Sequence, residues 1–224
     1  MTQNAMPCTE TAGRLLRQAA DILRSGGLIV SPTETFVGIG CRYDSEEAIS
    51  RVFRSKRRLL AMPLPLIVAD FEQLDSIAAP SSGLWEDIAD LSSRFWPGPL
   101  TLILEARRHL SPLLTGGSGN IAVRISPHAV ARELAMQVGC PLVSSSANIS
   151  GQPAVTDAAD LSSELVEAVD LVLNLPPRPM GGKASTIVRP LGAGKLELLR
   201  AGALEAERLF AAGYYLENME QMRE

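Results

Sequence analysis

The spacing of apolar positions changes repeatedly between helical and strand-like periods along the chain. Residues 9–25 carry apolar side chains at intervals of three and four, which predicts an amphipathic helix ended by Gly26-Gly27. The same helical spacing recurs at 45–58, 84–95, 127–138, 157–169 and from 204 onward. Short apolar runs predict buried strands at 28–30, 64–68, 100–105, 121–125, 141–143, 170–174, 185–189 and 196–200.

The order of these elements indicates the fold class. Helices and strands alternate irregularly, and hairpin-like neighbours appear late in the chain. We therefore expect an α/β (α+β) protein, with a twisted mixed sheet flanked by helices and no regular doubly wound order. The 224 residues suit one large domain or a small pair, and the only candidate linker is the loop at 176–182.

Composition narrows the class of protein. Hydrophobic residues make up 46% and charged residues 21%, as in a folded globular protein. The net charge of -4 means that any site for a polyanion must be a local basic patch. Three cysteines without a CxxC pair predict neither a disulfide framework nor a zinc site. With no membrane-length apolar run and no signal pattern, we expect a reduced, cytoplasmic protein without membrane attachment.

Several familiar catalytic motifs are absent. Residues 181–185 resemble the tail of a P-loop, but Ala184 stands where Ser or Thr must follow the lysine. Residues 116–120 miss the nucleophile elbow because Asn120 replaces its last glycine. The chain has only two histidines, so few residues could form a Ser-His-Asp triad or a histidine-metal cluster.

Polar and basic clusters remain at the ends of the predicted strands, where ligands of open α/β sheets bind. Each has a plainer alternative: the basic run 54–58 suits a solvated helix end, and Ser144-Ser145-Ser146 suits turn chemistry. Arg124 interrupts an apolar strand, so it is either buried and paired or directed into a pocket. His128 reads as a surface residue at a helix start.

Taken in order, these clusters resemble the YrdC family, over about residues 12–204. The matching segments are Pro32-Thr33-Glu34-Thr35 with Gly38-Ile39-Gly40, Lys56-Arg57-Arg58, Pro63-Leu64-Pro65-Leu66, Trp96-Pro97-Gly98-Pro99-Leu100-Thr101, Val123-Arg124-Ile125, Ser146-Ala147-Asn148-Ile149-Ser150-Gly151, Ser185-Thr186-Ile187-Val188 and Leu198-Leu199-Arg200-Ala201-Gly202. The resemblance implies a twisted mixed sheet with a concave, positively charged cleft. It also implies a single YrdC-like domain over 1–224, with a C-terminal helix at 204–222.

The family's characterised members are threonylcarbamoyl-AMP synthases. They join L-threonine, bicarbonate and ATP into threonylcarbamoyl-adenylate and pyrophosphate, for transfer to adenosine 37 of tRNA. The resemblance therefore implies a nucleotidyltransferase with ATP as substrate, Mg²⁺ accompanying it, and the tRNA-threonylcarbamoyl transfer machinery as partner. A site of Arg, Lys, Ser, Thr and Asn with almost no histidine suits this reaction, which needs charge neutralisation and alignment more than a strong nucleophile.

Position by position, the resemblance assigns two sets of residues. The threonine-binding positions are Thr35, Arg124, Ser146 and Ser185. The ATP-binding positions are Lys56, Arg58, Asn120, Asn148, Thr156 and Arg200. Lys56 and Arg58 are expected to act as electrostatic stabilisers, whereas Ser144 and Ser145 are expected to be scaffold.

This chain departs from the family pattern in four places, one of which is Asn120, where the family usually has Ser or Thr. Arg57 and Leu59 replace a glycine and a proline of the basic loop, Val37 replaces a common tyrosine, and Met62 replaces Asn or Lys near the nucleotide. Two alternatives stay open. One is a double-stranded RNA- or tRNA-binding protein of the same fold, with Arg51, Arg54 and 56–58 on phosphates. The other is a nucleotide-binding paralogue that transfers another carbamoyl group.

Overall fold

The computed structural model describes residues 9–217. The α-helices there are α1 (Thr9–Arg24), α2 (Glu46–Lys56), α3 (Phe71–Ile77), α4 (Leu84–Phe95), α5 (Pro112–Thr115), α6 (Ala129–Val138), α7 (Ser163–Ala168) and α8 (Ala206–Ala211). The strands are β1 (Ile29–Pro32), β2 (Val37–Gly40), β3 (Pro65–Ile67), β4 (Leu100–Glu105), β5 (Asn120–Arg124), β6 (Leu142–Val143), β7 (Ser145–Ser146), β8 (Leu171–Val172), β9 (Thr186–Gly192), β10 (Lys195–Arg200) and β11 (Tyr215–Glu217). A 3₁₀ turn covers Ala158–Asp160.

The strands form two mixed sheets. The larger sheet has the order β11-β10-β9-β4-β5-β3-β6 and the smaller one β7-β2-β1-β8, each with parallel and antiparallel neighbours. The predicted mixed α/β class is confirmed, but the strands divide between two sheets rather than one. The chain crosses from the larger to the smaller sheet at Ser144, between β6 and β7.

Two apolar cores hold the helices on these sheets. The larger core contains the buried sides of α2 and α4 and the inner residues of β4, β5, β9 and β10. The smaller core packs Ala19 and Leu23 of α1 against Leu134 of α6, above Ile29 and Ile67 of the sheets. The apolar stripe predicted for the first helix is therefore the face it buries, and burial of such side chains is the main favourable term in folding.

The two ends of α2, the helix that carries the start of the basic run, are stabilised by polar side chains. Ser45 caps the helix start, since its Oγ accepts a hydrogen bond from the backbone N–H of Ala48 at 3.3 Å. Glu46 and Glu47 in the first turn and Arg54 and Lys56 in the last complement the helix dipole.

The C-terminal helix predicted for 204–222 is wrong in extent. Helix α8 spans only Ala206–Ala211, and Gly213 turns the chain at φ +91°. β11 follows and pairs in parallel with β10, with Leu216 opposite Leu196. The part of the prediction beyond 217 lies outside the described residues. The sequence did not predict β11 because a three-residue edge strand is too short to show a periodic pattern of apolar residues.

Two further predictions need correction. The helix predicted at 127–138 begins at Ala129, with His128 as its N-cap, so Pro127 lies before the helix and not at its first position. The helix predicted at 157–169 is a 3₁₀ turn followed by α7, because Asp157 and Ser162 each cap a separate start. Across 9–217, no helix combines the length and apolar character needed to cross a bilayer.

Candidate active site

A cleft of about 370 Å³ is lined by residues of both sheets. The turn between β1 and β2, the loop from α2 to β3, the start of β9 and the end of β10 all reach it. Six of the ten predicted site residues line it, and these are Thr35, Arg58, Arg124, Ser146, Ser185 and Arg200. The topology therefore brings together residues that are up to 165 positions apart, between Thr35 and Arg200.

The turn after β1 presents Thr35 to the cleft. Thr33 Oγ1 donates to the carbonyl of Phe36 at 2.7 Å and accepts from its N–H at 3.3 Å, which closes the turn. The carbonyl of Thr35 accepts from Gly181 N–H at 2.8 Å, so the segment 180–181 braces the turn. With its backbone held on both sides, the Thr35 hydroxyl is positioned for a polar ligand.

Arg124 ends β5 with its side chain in the cleft wall. Its Nε donates to Glu34 Oε1 at 3.1 Å, and both side chains are only 7% exposed. The terminal Nη1 and Nη2 groups make no hydrogen bond to any residue of 9–217, and neither is sealed from solvent. Arg124 is therefore both paired and directed into a pocket, and the free end of its guanidinium has the fork geometry that matches a carboxylate.

Ser185 and Arg200 form a second polar group across the cleft. Arg200 donates from Nε and Nη2 to the carbonyl of Ser185, at 3.0 and 2.7 Å. Ser185 Oγ lies 2.8 Å from Thr101 Oγ1, a residue that the sequence did not single out for the site. Partial burial, followed by the charge of Arg124, lowers the pKa of Arg200. Two guanidinium groups near enough to repel one another favour an anion between them.

Arg58 supplies the third guanidinium of the cleft. Its Nη2 donates to the carbonyl of Pro63 at 2.9 Å, while its Nε–H is buried without a partner in the described chain. Burial lowers the pKa of Arg58. An unpartnered buried donor is costly, so Arg58 does not have all of its hydrogen-bonding capacity satisfied by the described residues, and its side chain lines the cleft. Met62, one of the departures from the family pattern, lines the cleft beside it.

Lys56 lies behind the cleft rather than in its lining. Its side chain is fully buried, and its ammonium donates to the carbonyls of Ser146 and Asn148 and to Asn148 Oδ1. All three ammonium protons thus have acceptors in the segment 146–148. Asn148 is also engaged locally, donating from Nδ2 to the carbonyl of Gln152 at 2.6 Å. Contact of either residue with ATP stays a prediction, and their visible role is to shape this loop.

Because the Lys56 ammonium is buried, the free energy of unfolding should change with pH in the alkaline range. Burial, followed by the charge of Arg58, lowers the pKa of Lys56 from 10.5 to about 8. Between these two values the unfolded chain holds a proton that the folded chain has released, so stability rises with pH. We expect the unfolding free energy of the wild type, relative to Lys56→Met, to rise by roughly 1.4 kcal/mol per pH unit over this interval.

Urea unfolding of both proteins at pH 7, 8, 9 and 10 measures this difference, and subtraction cancels titrations that both proteins share. Below pH 8 the difference should be constant. A flat difference across the whole range would contradict the depressed pKa of Lys56.

The other two predicted ATP ligands lie outside the lining. Asn120 begins β5 on the same side of the strand as Ala122 and Arg124, but its Nδ2 donates to Ser118 carbonyl oxygen at 3.0 Å. Thr156 packs beside Gly181, next to the segment that braces Thr35. Their role in nucleotide binding stays a prediction.

The structure adds residues that the sequence reasoning missed or misplaced. Ser144 and Ser145, predicted as scaffold, line the cleft together with Ser146. His128 is buried rather than exposed, with Nε2 2.8 Å from the carbonyl of Pro177. The only signal for the burial of His128 was its place after an apolar strand, which equally suits a surface turn.

Arg57, which replaces a family glycine, adopts the left-handed conformation at φ 49° and ψ 39°. This conformation costs a residue with a Cβ roughly 1–2 kcal/mol, and glycine avoids that cost. Glycine also makes the unfolded chain more flexible, which offsets about 0.4–1 kcal/mol of the gain. Arg57 also pairs with Glu164 at 2.9 Å, but both side chains are exposed, so the pair contributes little. We expect Arg57→Gly to stabilise the chain by up to about 1 kcal/mol.

Thermal and urea unfolding measure this effect, and Glu164→Gln is the control that removes the ion pair while keeping Arg57. A loss of stability in Arg57→Gly that exceeds the loss in Glu164→Gln would contradict the prediction that the left-handed conformation strains Arg57.

The charges of the cleft define what it can bind. Arg58, Arg124 and Arg200 converge there, and the carboxylate of Glu34 lies behind Arg124 rather than in the lining. Such a surface suits a ligand with more than one negative group. Within residues 9–217, no three His, Cys, Asp or Glu side chains come together as metal ligands, so the described protein offers no cage of its own for a divalent ion.

Comparison with known proteins agrees with this geometry. Residues 21–202 match the model of the Sua5/YciO/YrdC family, which carries the description "Telomere recombination". The threonylcarbamoyl-AMP synthase of Pyrococcus abyssi is 34% identical over 194 residues, covering 87% of this chain and 56% of the relative. The Idiomarina loihiensis protein of that name is 37% identical over 176 residues, covering 78% of this chain and 92% of the relative.

A solved structure shows the same fold. The crystal structure of P. abyssi Sua5 complexed with L-threonine superimposes with a TM-score of 0.82 at 32% identity, covering 90% of this chain and 58% of that protein. The chain thus spans little more than half the length of the P. abyssi relative but nearly all of the Idiomarina relative.

Proposed function

This chain belongs to the Sua5/YciO/YrdC family, and on that basis we propose that it is a threonylcarbamoyl-AMP synthase. It would join L-threonine, bicarbonate and ATP to give threonylcarbamoyl-adenylate and pyrophosphate. The observation that supports this most is the cleft itself, where three guanidinium groups face hydroxyls and one of them keeps a free fork. Threonine offers a carboxylate and ATP a polyanionic chain, which together match that set of donors.

On the threonine side, the free Nη1 and Nη2 of Arg124 would bind the substrate carboxylate. Thr35, Ser146 and Ser185 would place hydroxyls around the rest of the amino acid, since all three line the same cleft. The arrangement supports this assignment because a carboxylate held at two points fixes the direction of the amine.

On the nucleotide side, Arg58 and Arg200 would neutralise the phosphates of ATP. Lys56 would act through the loop 146–148, and Asn148, Asn120 and Thr156 would contact ATP. Mg²⁺ would arrive with the ATP phosphates, because the described residues provide no metal cage.

The chemistry then requires positioning rather than a protein nucleophile. The threonine amine and bicarbonate give a carbamate with loss of water, and the carbamate oxygen attacks the α-phosphorus of ATP. The P–O bond to the β-phosphate breaks and pyrophosphate leaves. Guanidinium groups fixed before reaction stabilise the charge that moves onto the leaving phosphates.

Pyrophosphate release tests this proposal. The wild type should release pyrophosphate only when threonine, bicarbonate and ATP are all present, and omission of any one should stop release. Thr35→Ala combined with Arg58→Ala is the control. If wild type and control release equal amounts, the synthase proposal is wrong.

The RNA-binding alternative has less support from the basic run. Arg51 pairs with Asp170 at 2.9 Å and Arg57 with Glu164 at 2.9 Å, so two of its arginines are already engaged. Binding to double-stranded RNA that weakens steeply with salt and ignores threonine would favour that alternative. A paralogue acting on another substrate would instead bind other amino acids as tightly as threonine in calorimetry.

Three wider predictions accompany the proposal. They are a single domain over 1–224, a cytoplasmic location, and delivery of the adenylate to a tRNA-threonylcarbamoyl transfer machinery. None of them bears on the chemistry of the cleft.

A further inference from the structure

We propose that Glu34 is a positioning residue for the proposed substrate carboxylate: it holds Arg124 by one edge so that the opposite end faces the cleft. The inference rests on the proposed function and deepens it by naming the residue that sets affinity for the amino acid. Glu34 lies in the Pro32-Thr33-Glu34-Thr35 motif but does not line the cleft, so it acts through Arg124 and not by contact with substrate.

The hydrogen bonds of Glu34 fix the rotation of the guanidinium plane. Oε1 accepts from Arg124 Nε at 3.1 Å, while Oε2 accepts from Ser126 Oγ at 2.5 Å. Ser126 is fully buried, and its Oγ also accepts from the backbone N–H of His128 at 3.1 Å. The carboxylate is thus anchored at both oxygens, and only Nη1 and Nη2 of Arg124 remain for a ligand.

The same residue ties Arg124 to the wall of the threonine side. The backbone carbonyl of Glu34 accepts from Met180 N–H at 3.1 Å, next to the Gly181 bond that braces Thr35. Glu34 is therefore bonded through its side chain to Arg124 and through its backbone to the segment that braces Thr35. A purely structural ion pair would not need its free donors to face the cleft.

Charge gives Glu34 a second effect. Arg124 and Arg200 face the same cleft, and a buried cation without a counter-ion is costly. The carboxylate of Glu34 offsets the charge of Arg124 from behind, which keeps the fork in place when the cleft is empty. Without that carboxylate, Arg124 would be repelled by Arg200 and would leave the position in which it receives a ligand.

Glu34→Gln tests the inference because it keeps the size of the side chain and an acceptor for Arg124 Nε while removing the charge. Isothermal titration with L-threonine in the presence of ATP should show a threonine Kd at least ten-fold weaker than wild type. In steady-state kinetics, KM for threonine should rise by the same factor while KM for ATP stays within two-fold. Glu34→Asp should not restore affinity, because its carboxylate is one methylene too short to reach both partners.

Asp170→Asn is the matched control. Asp170 also accepts from an arginine and a second donor, through Arg51 and the backbone N–H of Leu28, but it lies away from the cleft. Asp170→Asn should lower the melting temperature and leave threonine Kd within two-fold. Threonine affinity in Glu34→Gln within two-fold of a threonine-binding wild type overturns the inference. No threonine binding by the wild type itself overturns instead the proposed function, so the two failures are distinguishable.

Discussion

Replacing Arg124 with lysine is expected to lower kcat/KM for threonine about 100-fold, which corresponds to about 2.7 kcal/mol of transition-state stabilisation. Lysine keeps the positive charge, but its ammonium cannot donate to Glu34 from one edge while it presents two parallel donors to a second carboxylate. The Nη groups of Arg124 are the free donors that make this residue the proposed carboxylate site. Pyrophosphate release across a threonine titration measures the effect.

Arg189→Lys provides the comparison. Arg189 is also a strand arginine paired with a glutamate, Glu197, but it does not line the cleft. Its kcat/KM for threonine should stay within two-fold of wild type. If Arg124→Lys retains more than a third of wild-type kcat/KM, charge alone suffices and the fork is not the recognition element.

Arg58→Ala is expected to lower kcat/KM for ATP by at least 100-fold, because preorganised cations at developing phosphate charge contribute this much in comparable sites. Among residues 9–217, Arg58 finds one acceptor, the carbonyl of Pro63, and its Nε–H has no partner. Its removal leaves Arg200 as the other cleft cation on the nucleotide side. Initial rates across an ATP titration at saturating threonine measure the loss.

Arg54→Ala separates this effect from general basic charge, since Arg54 lies in the last turn of α2, four residues before Arg58, and is exposed. It should keep kcat/KM for ATP within two-fold. Equal losses in both variants would indicate long-range attraction by the basic run rather than contact at the cleft.

The sequence predicted well the elements whose ends carry strong chemical signals. Strand β4 and helix α4 match their predicted bounds, the latter because Trp96-Pro97-Gly98-Pro99 ends the helical period. β2 was not predicted, since glycines at 38 and 40 are unusual in a strand. The structure explains Gly40, because a Cβ at this position would collide with the carbonyl of Val143. This close approach depends on β6, a strand of the other sheet that lies a hundred residues further along the chain.

The site shows the same division between local and long-range information. Motif by motif, the resemblance identified Thr35, Arg58, Arg124, Ser146, Ser185 and Arg200, which the fold brings to one cleft. It did not indicate that Glu34 pairs with Arg124, or that Lys56 points into the loop 146–148. Both facts depend on which strands pair and on how a buried side chain is oriented. Neither leaves a signature in the spacing of residues along the chain.

If one cleft joins threonine, bicarbonate and ATP, the product itself should be detectable. Wild-type protein incubated with ¹³C-bicarbonate, L-threonine and ATP should form an adenylate that mass spectrometry identifies as threonylcarbamoyl-AMP carrying one ¹³C. Arg124→Lys should form far less of it at limiting threonine. Absence of the labelled adenylate from active-site-intact protein, or equal labelling with serine and other amino acids, would contradict the assignment.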